Sequence, residues 1–178
     1  LVHVAADGTL GECEISVVQT SLAANLTYVD SQAVLDAQAA GEPLPQNAAT
    51  PYAEQLRLGL ELARQRQTAR IADGAVIMDR PDPVIRLEGE GADVRVEVGL
   101  DYQASDAQML VAEMMILASA AVAQWAADQG VAMLHRVQDV ALPREYAGIW
   151  TTPQDMTRIM RALTPSGLEV QARPHAAL

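Results

Sequence analysis

The sequence predicts an α+β fold in which short mixed β-strands pack around a long buried central helix. Residues 107–127 form one long apolar stretch that holds a single charged side chain. Short segments such as 94–98 alternate between apolar and polar side chains, as half-buried strands do. Half of the 178 residues are hydrophobic, which suits one packed core. No repeat or low-complexity linker interrupts the chain, so we expect one continuous unit over residues 1–178.

Turn and cap signals define the elements at the start of the chain. Asp7-Gly8 is a strong hairpin signal between two extended segments. Thr27 is followed three residues later by an acid, which resembles a capping box and predicts a helix over 28–41. The extended segments that flank the hairpin turn are 1–4 and 10–22.

A second helix is predicted to begin at Thr50-Pro51, because Thr is a good N-cap and Pro is favoured at the first helical position. It is expected to run to about residue 72, with Gly74 as its left-handed cap. The basic residues expected on the flank of this helix are Arg57, Arg64, Arg66 and Arg70.

The second half of the chain is predicted to alternate strands with two further helices. Ser105 with Gln108 forms another capping box, which opens the apolar helix that ends at Gly130. Thr152-Pro153 opens a short helix to about residue 163, and an irregular tail is expected from 164. The strands predicted in this half are 75–78, 84–88, 94–100 and 132–137.

The apolar helix is long enough to cross a membrane, but we favour a place in a soluble core. Polar side chains are spread along it at Gln108, Ser119 and Gln124. An acid near the centre of a membrane helix costs about 2.5–3.5 kcal/mol on insertion scales, and Glu113 holds that position. A helix that is apolar on all sides is typical of the centre of a globular core.

Glu113 and Tyr28 are the candidate functional residues, and each has two interpretations. A buried carboxylate must be paired, hydrogen-bonded or protonated. Glu113 is therefore either a structural partner of an arginine, from the preceding helix or at Arg136, or a carboxylate set into a functional site. Tyr28, at the first turn of its helix, is either a half-buried packing residue with a solvated hydroxyl or a site residue.

The charge and the cysteine content bound the class of protein. The formal net charge of −11, with 12 arginines and no lysine, argues against binding nucleic acid by bulk charge alone. It leaves room for acids that hold a metal ion between protein and phosphate. Cys13 is the single cysteine and forms no internal disulfide, so we expect a cytoplasmic protein.

Four segments, taken in order, resemble the catalytic RNB domain of the RNase II/RNase R exoribonucleases. The succession of Asp7-Gly8, the SVV segment at 16–18 and the LTY segment at 26–28 is similar to the start of the family pattern. An R-x-x-x-G-A stretch begins at Arg70, the helix carries VAEMMILA at 111–118, and a strand carries LHRVQ at 134–138. The AEMM variant and the RPHAAL ending look closest to the cyanobacterial and plastid-like branch.

The resemblance implies a 3′-to-5′ exoribonuclease that degrades single-stranded RNA processively to nucleoside 5′-monophosphates with Mg²⁺. Tyr28 matches the family tyrosine that lies beside the scissile phosphate and the ribose hydroxyls. Glu113 matches one acid of a Glu-Glu pair that orients the terminal nucleotide. The family's Glu-Glu pair is Ala112-Glu113 here. The functional acid of the family therefore corresponds either to position 112, which is alanine in this chain, or to Glu113. Met78 falls where several members stack an aromatic ring on the terminal base, and a thioether packs there more weakly.

The resemblance also implies parts that this chain does not carry. The aspartate cluster that binds the metal is expected upstream of Leu1, and a TSPxRRY arginine motif downstream of Leu178. We therefore expect residues 1–178 to be the central segment of one RNB-like domain, with no metal ligands of its own. The family adds OB-fold RNA-binding domains and is monomeric. The isolated chain is predicted to be inactive.

An alternative class remains open from the sequence. The chain is then an inactive RNB-like module that binds RNA or a protein partner, and Glu113 is a buried structural acid. A D-x-x-D-x-x-D-D run in the preceding few hundred residues would favour the nuclease, and its absence would favour a binding module.

Overall fold

The computed structural model describes residues 1–79, 82–89, 91–101, 105–138 and 144–171. Short 3-10 turns lie at Thr50–Tyr52, Gly91–Asp93 and Arg144–Tyr146. The helices are α1 (Tyr28–Ala40), α2 (Ala53–Ala72), α3 (Asp106–Asp128) and α4 (Pro153–Ala162). The strands are β1 (Val2–Val4), β2 (Leu10–Cys13), β3 (Val76–Met78), β4 (Asp82–Glu88), β5 (Arg95–Asp101), β6 (His135–Gln138), β7 (Gly148–Trp150) and β8 (Ser166–Glu169).

Helices α1, α2 and α3 pack against one another and form the centre of the fold. Leu35, Leu60 and Ala107, one from each helix, form a shared buried cluster. Gly59 of α2 lets α3 approach closely, because a Cβ there would lie 3.2 Å from a methyl carbon of Leu110. The predicted α+β class is confirmed, with helices and small sheets in one mixed fold.

The predicted N-caps Thr27 and Ser105 set the starts of α1 and α3, whereas Thr50 does not cap α2. Residues Thr50–Tyr52 form a 3-10 turn instead, and α2 begins at Ala53 without a side-chain cap. The Thr27 hydroxyl accepts a hydrogen bond from the Asp30 backbone N–H at 3.0 Å, and α1 begins at the next residue after Thr27. Ser105 caps α3 in the same way. Gln32 of α1 adds a second cap to α3, because its side-chain oxygen accepts the Ala107 backbone N–H at 2.9 Å. These bonds satisfy N–H groups that have no partner inside the helix.

The described strands pair two by two rather than in one continuous sheet. Strands β1 and β2, β4 and β5, and β6 and β8 are antiparallel, whereas β3 and β7 are parallel. The β4–β5 ribbon presents one apolar face that is exposed in the described structure. The side chains of that face are Ile85, Leu87, Val96 and Val98.

Several predicted strands have different bounds in the structure. The predicted strand 10–22 ends at Cys13, because β1 is only three residues long and pairs no further. The predicted strand 132–137 is β6 and begins at His135. The tail from 164 is not irregular throughout, since it contains β8, which pairs with β6. The RPHAAL segment lies outside the described residues, as do residues 80 and 81.

Two predictions of burial are corrected. Arg66, predicted on the flank of α2 with three other arginines, is buried, because the Asp7–Gly8 turn packs over it and the guanidinium donates to the Gly8 carbonyl. Helix α3 is long and apolar enough to span a membrane by length and composition alone, and it is not buried on all sides in the described structure. One face packs on α1 and α2, while Met115 on another face is largely exposed.

Candidate functional site

A cleft of about 970 Å³ lies between α2, α3 and the β3–β7 ribbon. Helix α2 contributes a polar wall, and α3, which packs on α2, contributes a mostly apolar wall. The strand residues close a third side. The residues that line the cleft are Tyr28, Arg64, Gln67, Arg70, Val76, Ile77, Met78, Asp79, Asp106, Gln108, Met109, Val111, Ala112, Glu113, Met115, Ile116 and Ile149.

All three residues that the sequence singled out line this one cleft. Tyr28 is the first residue of α1, Met78 is the last residue of β3, and Glu113 lies in the first half of α3. They are separated by 50 and 35 positions in the chain, so no local pattern brings them together. The tertiary packing does so, and it places a hydroxyl, a thioether and a carboxylate around the same space.

The Glu113 carboxylate is buried and is held by Arg70 of α2. The Arg70 Nη2 lies 2.6 Å from Oε1 of Glu113, and its Nε lies 3.1 Å from Oε2. The two N–H groups therefore form the parallel fork that guanidinium and carboxylate groups favour. The Glu113 side chain is 3% exposed and that of Arg70 is 12% exposed. Glu113 is thus paired with an arginine of the preceding helix, as its structural interpretation predicts. Glu113 also lines the cleft, as its functional interpretation requires.

The sequence left the arginine partner of Glu113 undecided, and the structure identifies it. Arg136 donates instead from its Nε to the Ser166 hydroxyl at 3.0 Å. Arg70 lies in the last turn of α2, and its carbonyl accepts the Ala75 backbone N–H at 2.8 Å. This bond fixes the turn that leads from α2 into β3. Arg70 therefore connects α2 to α3 through its side chain and α2 to β3 through its backbone.

A second arginine and a second carboxylate meet across the cleft in a more open position. The Arg64 Nη2 lies 3.1 and 3.0 Å from the two carboxylate oxygens of Asp106, at the start of α3. The side chains are 59% and 36% exposed, so water screens this pair. Each arginine that lines the cleft therefore already faces a carboxylate.

Tyr28 and Met78 remain available to a ligand. Tyr28 is 49% exposed, and within the described ranges its hydroxyl makes no hydrogen bond. Met78 pairs in register with Trp150 of β7, which fixes its strand at the edge of the cleft. A free phenolic hydroxyl is both a donor and an acceptor, and a methionine side chain packs against flat apolar surfaces.

The acids of the cleft do not form a metal centre among the described residues. Asp79, Asp106 and Glu113 all line the cleft, but no group of three or more Asp, Glu, His or Cys side chains in the described ranges is arranged to hold a metal ion. Glu113 and Asp106 are each engaged by an arginine. These residues do not fit a resident Mg²⁺ site.

The sequence did not single out Arg64, Asp79 or Asp106 as site residues. Arg64 is exposed and the two acids are half-buried, and nothing in the local spacing distinguishes such residues from solvated charges. Arg70 carried a signal, because it begins the R-x-x-x-G-A stretch. That stretch placed Arg70 in the family pattern but did not predict its ion pair with Glu113.

Comparison with known proteins identifies the class. Residues 1–175 match the RNB domain family, and the chain therefore belongs to the RNB domain family. No curated protein matches the sequence.

A solved structure shows the same fold. It is the crystal structure of an active-site mutant of the Dss1 exoribonuclease from Candida glabrata, with a TM-score of 0.63 and 18% sequence identity. The match covers 86% of this chain and 20% of that chain, so the sequence spans about a fifth of the length of that protein.

Proposed function

We propose that this chain is the central segment of the catalytic domain of a 3′-to-5′ exoribonuclease. The intact protein hydrolyses single-stranded RNA processively to nucleoside 5′-monophosphates with Mg²⁺. The single observation that carries the proposal is the one cleft that Tyr28, Met78 and Glu113 all line. Membership of the RNB domain family and the fold shared with an exoribonuclease support it.

The groups around the cleft suit the 3′-terminal nucleotide of an RNA strand. A ribose carries two neighbouring hydroxyls that donate and accept hydrogen bonds, and the 2′-hydroxyl is what distinguishes RNA from DNA. The Glu113 carboxylate accepts hydrogen bonds from such hydroxyls. The Tyr28 hydroxyl donates to a phosphate oxygen or a ribose oxygen, and Met78 packs against the face of a base.

The metal ligands and the cationic contacts to phosphate come from other parts of the intact protein in this proposal. The described ranges hold no group of acids arranged for a metal, and each arginine of the cleft faces a carboxylate. We therefore assign the Mg²⁺ ligands to an aspartate cluster upstream and the backbone contacts to a TSPxRRY arginine motif downstream. Flanking OB-fold domains supply further RNA contacts. The isolated chain is inactive in this proposal.

The remaining parts of the proposal concern the branch of the family, the oligomeric state and the cellular compartment. We assign the protein to the cyanobacterial and plastid-like branch of the family, on the AEMM segment that includes Glu113 and on the RPHAAL segment. We propose a monomeric protein in the cytoplasm, since the single Cys13 suits a reducing compartment.

The proposal is tested on the full-length protein with a 5′-labelled single-stranded RNA and Mg²⁺. We expect the RNA to shorten from its 3′ end and nucleoside 5′-monophosphates to be released. Processive action predicts a short end product without intermediates when unlabelled competitor RNA is added after the start. Shortening from the 5′ end, or internal cleavage, would contradict the direction proposed.

Tyr28 is tested in the same assay. Tyr28→Phe removes the hydroxyl alone, and we expect turnover to fall by about tenfold or more, since a hydrogen bond to a charged group contributes roughly 1.5–3 kcal/mol. Tyr52→Phe is the matched control, because the Tyr52 hydroxyl donates to the Ala23 carbonyl at 3.2 Å and lies outside the cleft. Equal turnover of the Tyr28→Phe variant and the wild type would remove Tyr28 from the mechanism.

The test also decides between the nuclease and a non-catalytic module. A full-length protein that binds RNA and degrades none is the inactive RNA-binding member of the family. A protein that neither binds nor degrades RNA is an interaction module, in which Glu113 has a structural role alone.

A further inference from the structure

Asp79 is a half-buried acid of the cleft that no arginine of the described residues engages. In the same cleft, Asp106 faces Arg64. Glu113 likewise faces Arg70. Within the described ranges, the side chain of Asp79 makes neither a hydrogen bond nor an ion pair. An ionised carboxylate accepts hydrogen bonds and donates none, so both oxygens of Asp79 are open to donor groups of a ligand.

The backbone holds Asp79 directly beside Met78. Met78 is the last residue of β3, and the backbone N–H of Asp79 donates to the Trp150 carbonyl at 2.9 Å. Trp150 is itself held, because its indole N–H donates to the Tyr146 carbonyl at 2.8 Å. Consecutive Cα atoms are about 3.8 Å apart, and both side chains line the cleft. A flat group that packs on Met78 therefore has its edge within reach of Asp79.

The edge of a base supplies the donor groups that a free carboxylate requires. Phosphate oxygens only accept hydrogen bonds, and the proposed function uses the ribose hydroxyls elsewhere in the cleft. Guanine has two donors side by side, N1–H and the 2-amino group. Adenine, cytosine and uracil each have one donor group with an acceptor beside it. Two parallel N–H donors match the two oxygens of a carboxylate, as the donors of a guanidinium do, so guanine is the base that suits Asp79.

We propose that Asp79 is a specificity-determining residue that favours guanine as the 3′-terminal base. Its two carboxylate oxygens accept from N1–H and from the 2-amino group of that base. The inference rests on the proposed function, because it takes an RNA 3′ end as the ligand and Met78 as the residue that packs on its base. It extends that function by assigning a base preference to a residue that takes no part in bond cleavage.

The experiment uses the full-length protein and single-stranded RNAs that differ only in the last base. The last base is guanine, adenine, cytosine, uracil or hypoxanthine, which is guanine without its 2-amino group. Both kcat/KM for removal of the last nucleotide and the equilibrium dissociation constant are measured for each RNA. Asp79→Asn keeps the size of the side chain and replaces one acceptor with a donor. Asp73→Asn is the matched control, because Asp73 is an exposed acid six positions earlier that does not line the cleft.

We expect the wild type to prefer the guanine-ended RNA over the hypoxanthine-ended RNA by about threefold to tenfold, the net effect of one hydrogen bond in a partly solvated position. Asp79→Asn should lower that ratio to less than about twofold. An amide has one acceptor beside one donor, which matches adenine. The ratio of adenine-ended to guanine-ended RNA should therefore rise at least about threefold in this variant. Asp73→Asn should retain the ratios of the wild type.

A role that involves no contact with the base predicts a different result. If Asp79 only supports the fold or repels phosphates, Asp79→Asn changes the values for all five RNAs by the same factor, and the inference is wrong. Equal values of the wild type for guanine-ended and hypoxanthine-ended RNA also contradict it. Where Asp79→Asn folds poorly, Asp79→Ser, which removes both carboxylate oxygens, takes its place, and the guanine-to-hypoxanthine ratio decides in the same way.

The binding measurement separates failure of this inference from failure of the proposed function. A wild-type protein that degrades no RNA, yet binds guanine-ended RNA more tightly than hypoxanthine-ended RNA and loses this preference in Asp79→Asn, refutes the exonuclease and retains the role of Asp79. A wild-type protein that shortens all five RNAs from the 3′ end with equal kcat/KM retains the exonuclease and refutes the role of Asp79. A protein that neither binds nor degrades RNA refutes both.

Discussion

Replacing Arg70 with Met leaves the Glu113 carboxylate buried without its partner. Glu113 is 3% exposed and cannot turn to water without moving α3. Removing one member of a buried ion pair typically costs about 3–5 kcal/mol, because the remaining charge loses both its water and its partner. We expect Arg70→Met to lower the free energy of unfolding by that amount. Such a loss is a large part of the roughly 5–15 kcal/mol that stabilises a typical domain.

Replacing both members of the pair should restore most of that stability. In Arg70→Met with Glu113→Leu, no buried charge remains, and apolar groups of similar volume fill the space between α2 and α3. Such exchanges are commonly neutral or stabilising by about 1–4 kcal/mol. Glu113→Leu alone should cost less than Arg70→Met alone, because Arg70 is 12% exposed and its flexible stem can carry the guanidinium to solvent.

Hydrogen exchange measured by mass spectrometry on peptides from α2 and α3 tests these expectations within the full-length protein. Each 1.4 kcal/mol changes the protection factor about tenfold, so Arg70→Met should reduce protection by roughly a hundredfold to a few thousandfold. Arg57→Met is the control, because its ion pairs are exposed and contribute less than about 1 kcal/mol. Equal protection in Arg70→Met and Arg57→Met would refute the buried ion pair.

Two further substitutions test other contacts of the fold. Arg64→Met should lower the stability by less than about 1 kcal/mol in urea unfolding, because the pair with Asp106 is solvated, and a loss near that of Arg70→Met would contradict this. Gly8→Ala should cost about 1–3 kcal/mol more than Gly41→Ala, because both have positive φ but only the first Cβ would lie 2.9 Å from the Gln65 carbonyl oxygen. Equal urea midpoints for the two alanine variants would show that the hairpin turn does not pack tightly on α2.

The helices were predictable from the sequence because their ends are encoded locally. Thr27, Ser105 and Thr152 each accept a backbone N–H at the start of a helix, and all three were identified from spacing alone. Gly41 and Gly130 have positive φ where α1 and α3 end. Such signals involve residues three or four positions apart, so no knowledge of the tertiary structure is needed.

The short strands were less predictable because their partners are distant. Strand β7 has three residues and pairs with β3, more than 70 positions earlier, and the sequence did not predict it. Strand β8 lies in a segment rich in Pro and Gly and is stabilised by β6. Three or four residues carry too little periodicity to identify a strand, so the pairing decides.

The candidate site likewise has one feature that the sequence predicts locally and one that only the tertiary structure decides. Glu113 was identifiable because a single acid in a long apolar helix needs a partner or a function. That Arg70 is its partner, rather than Arg66 or Arg136, could not be predicted, because the sequence offers all three arginines as possible partners of a buried acid. The structure decides it through the rotation of α2, which turns Arg66 under the hairpin at Gly8 and Arg70 toward α3.

The charge of the cleft determines what this segment contributes to RNA binding. Its wall carries two arginines and three carboxylates, and each arginine already faces a carboxylate. A wall of that composition does not attract a polyanion, and the chain as a whole has a formal charge of −11. The slope of RNA affinity against salt concentration is proportional to the number of phosphates that cationic groups of the protein neutralise. Substitutions at Tyr28 or Met78 should therefore change the affinity for the terminal nucleotide and leave the slope of affinity against salt unchanged. Arg64→Met removes the more exposed arginine of the cleft and should also leave the slope unchanged, because Arg64 faces Asp106. A slope smaller by about one would place a cationic phosphate contact in this cleft and refute the assignment of those contacts to other parts of the protein.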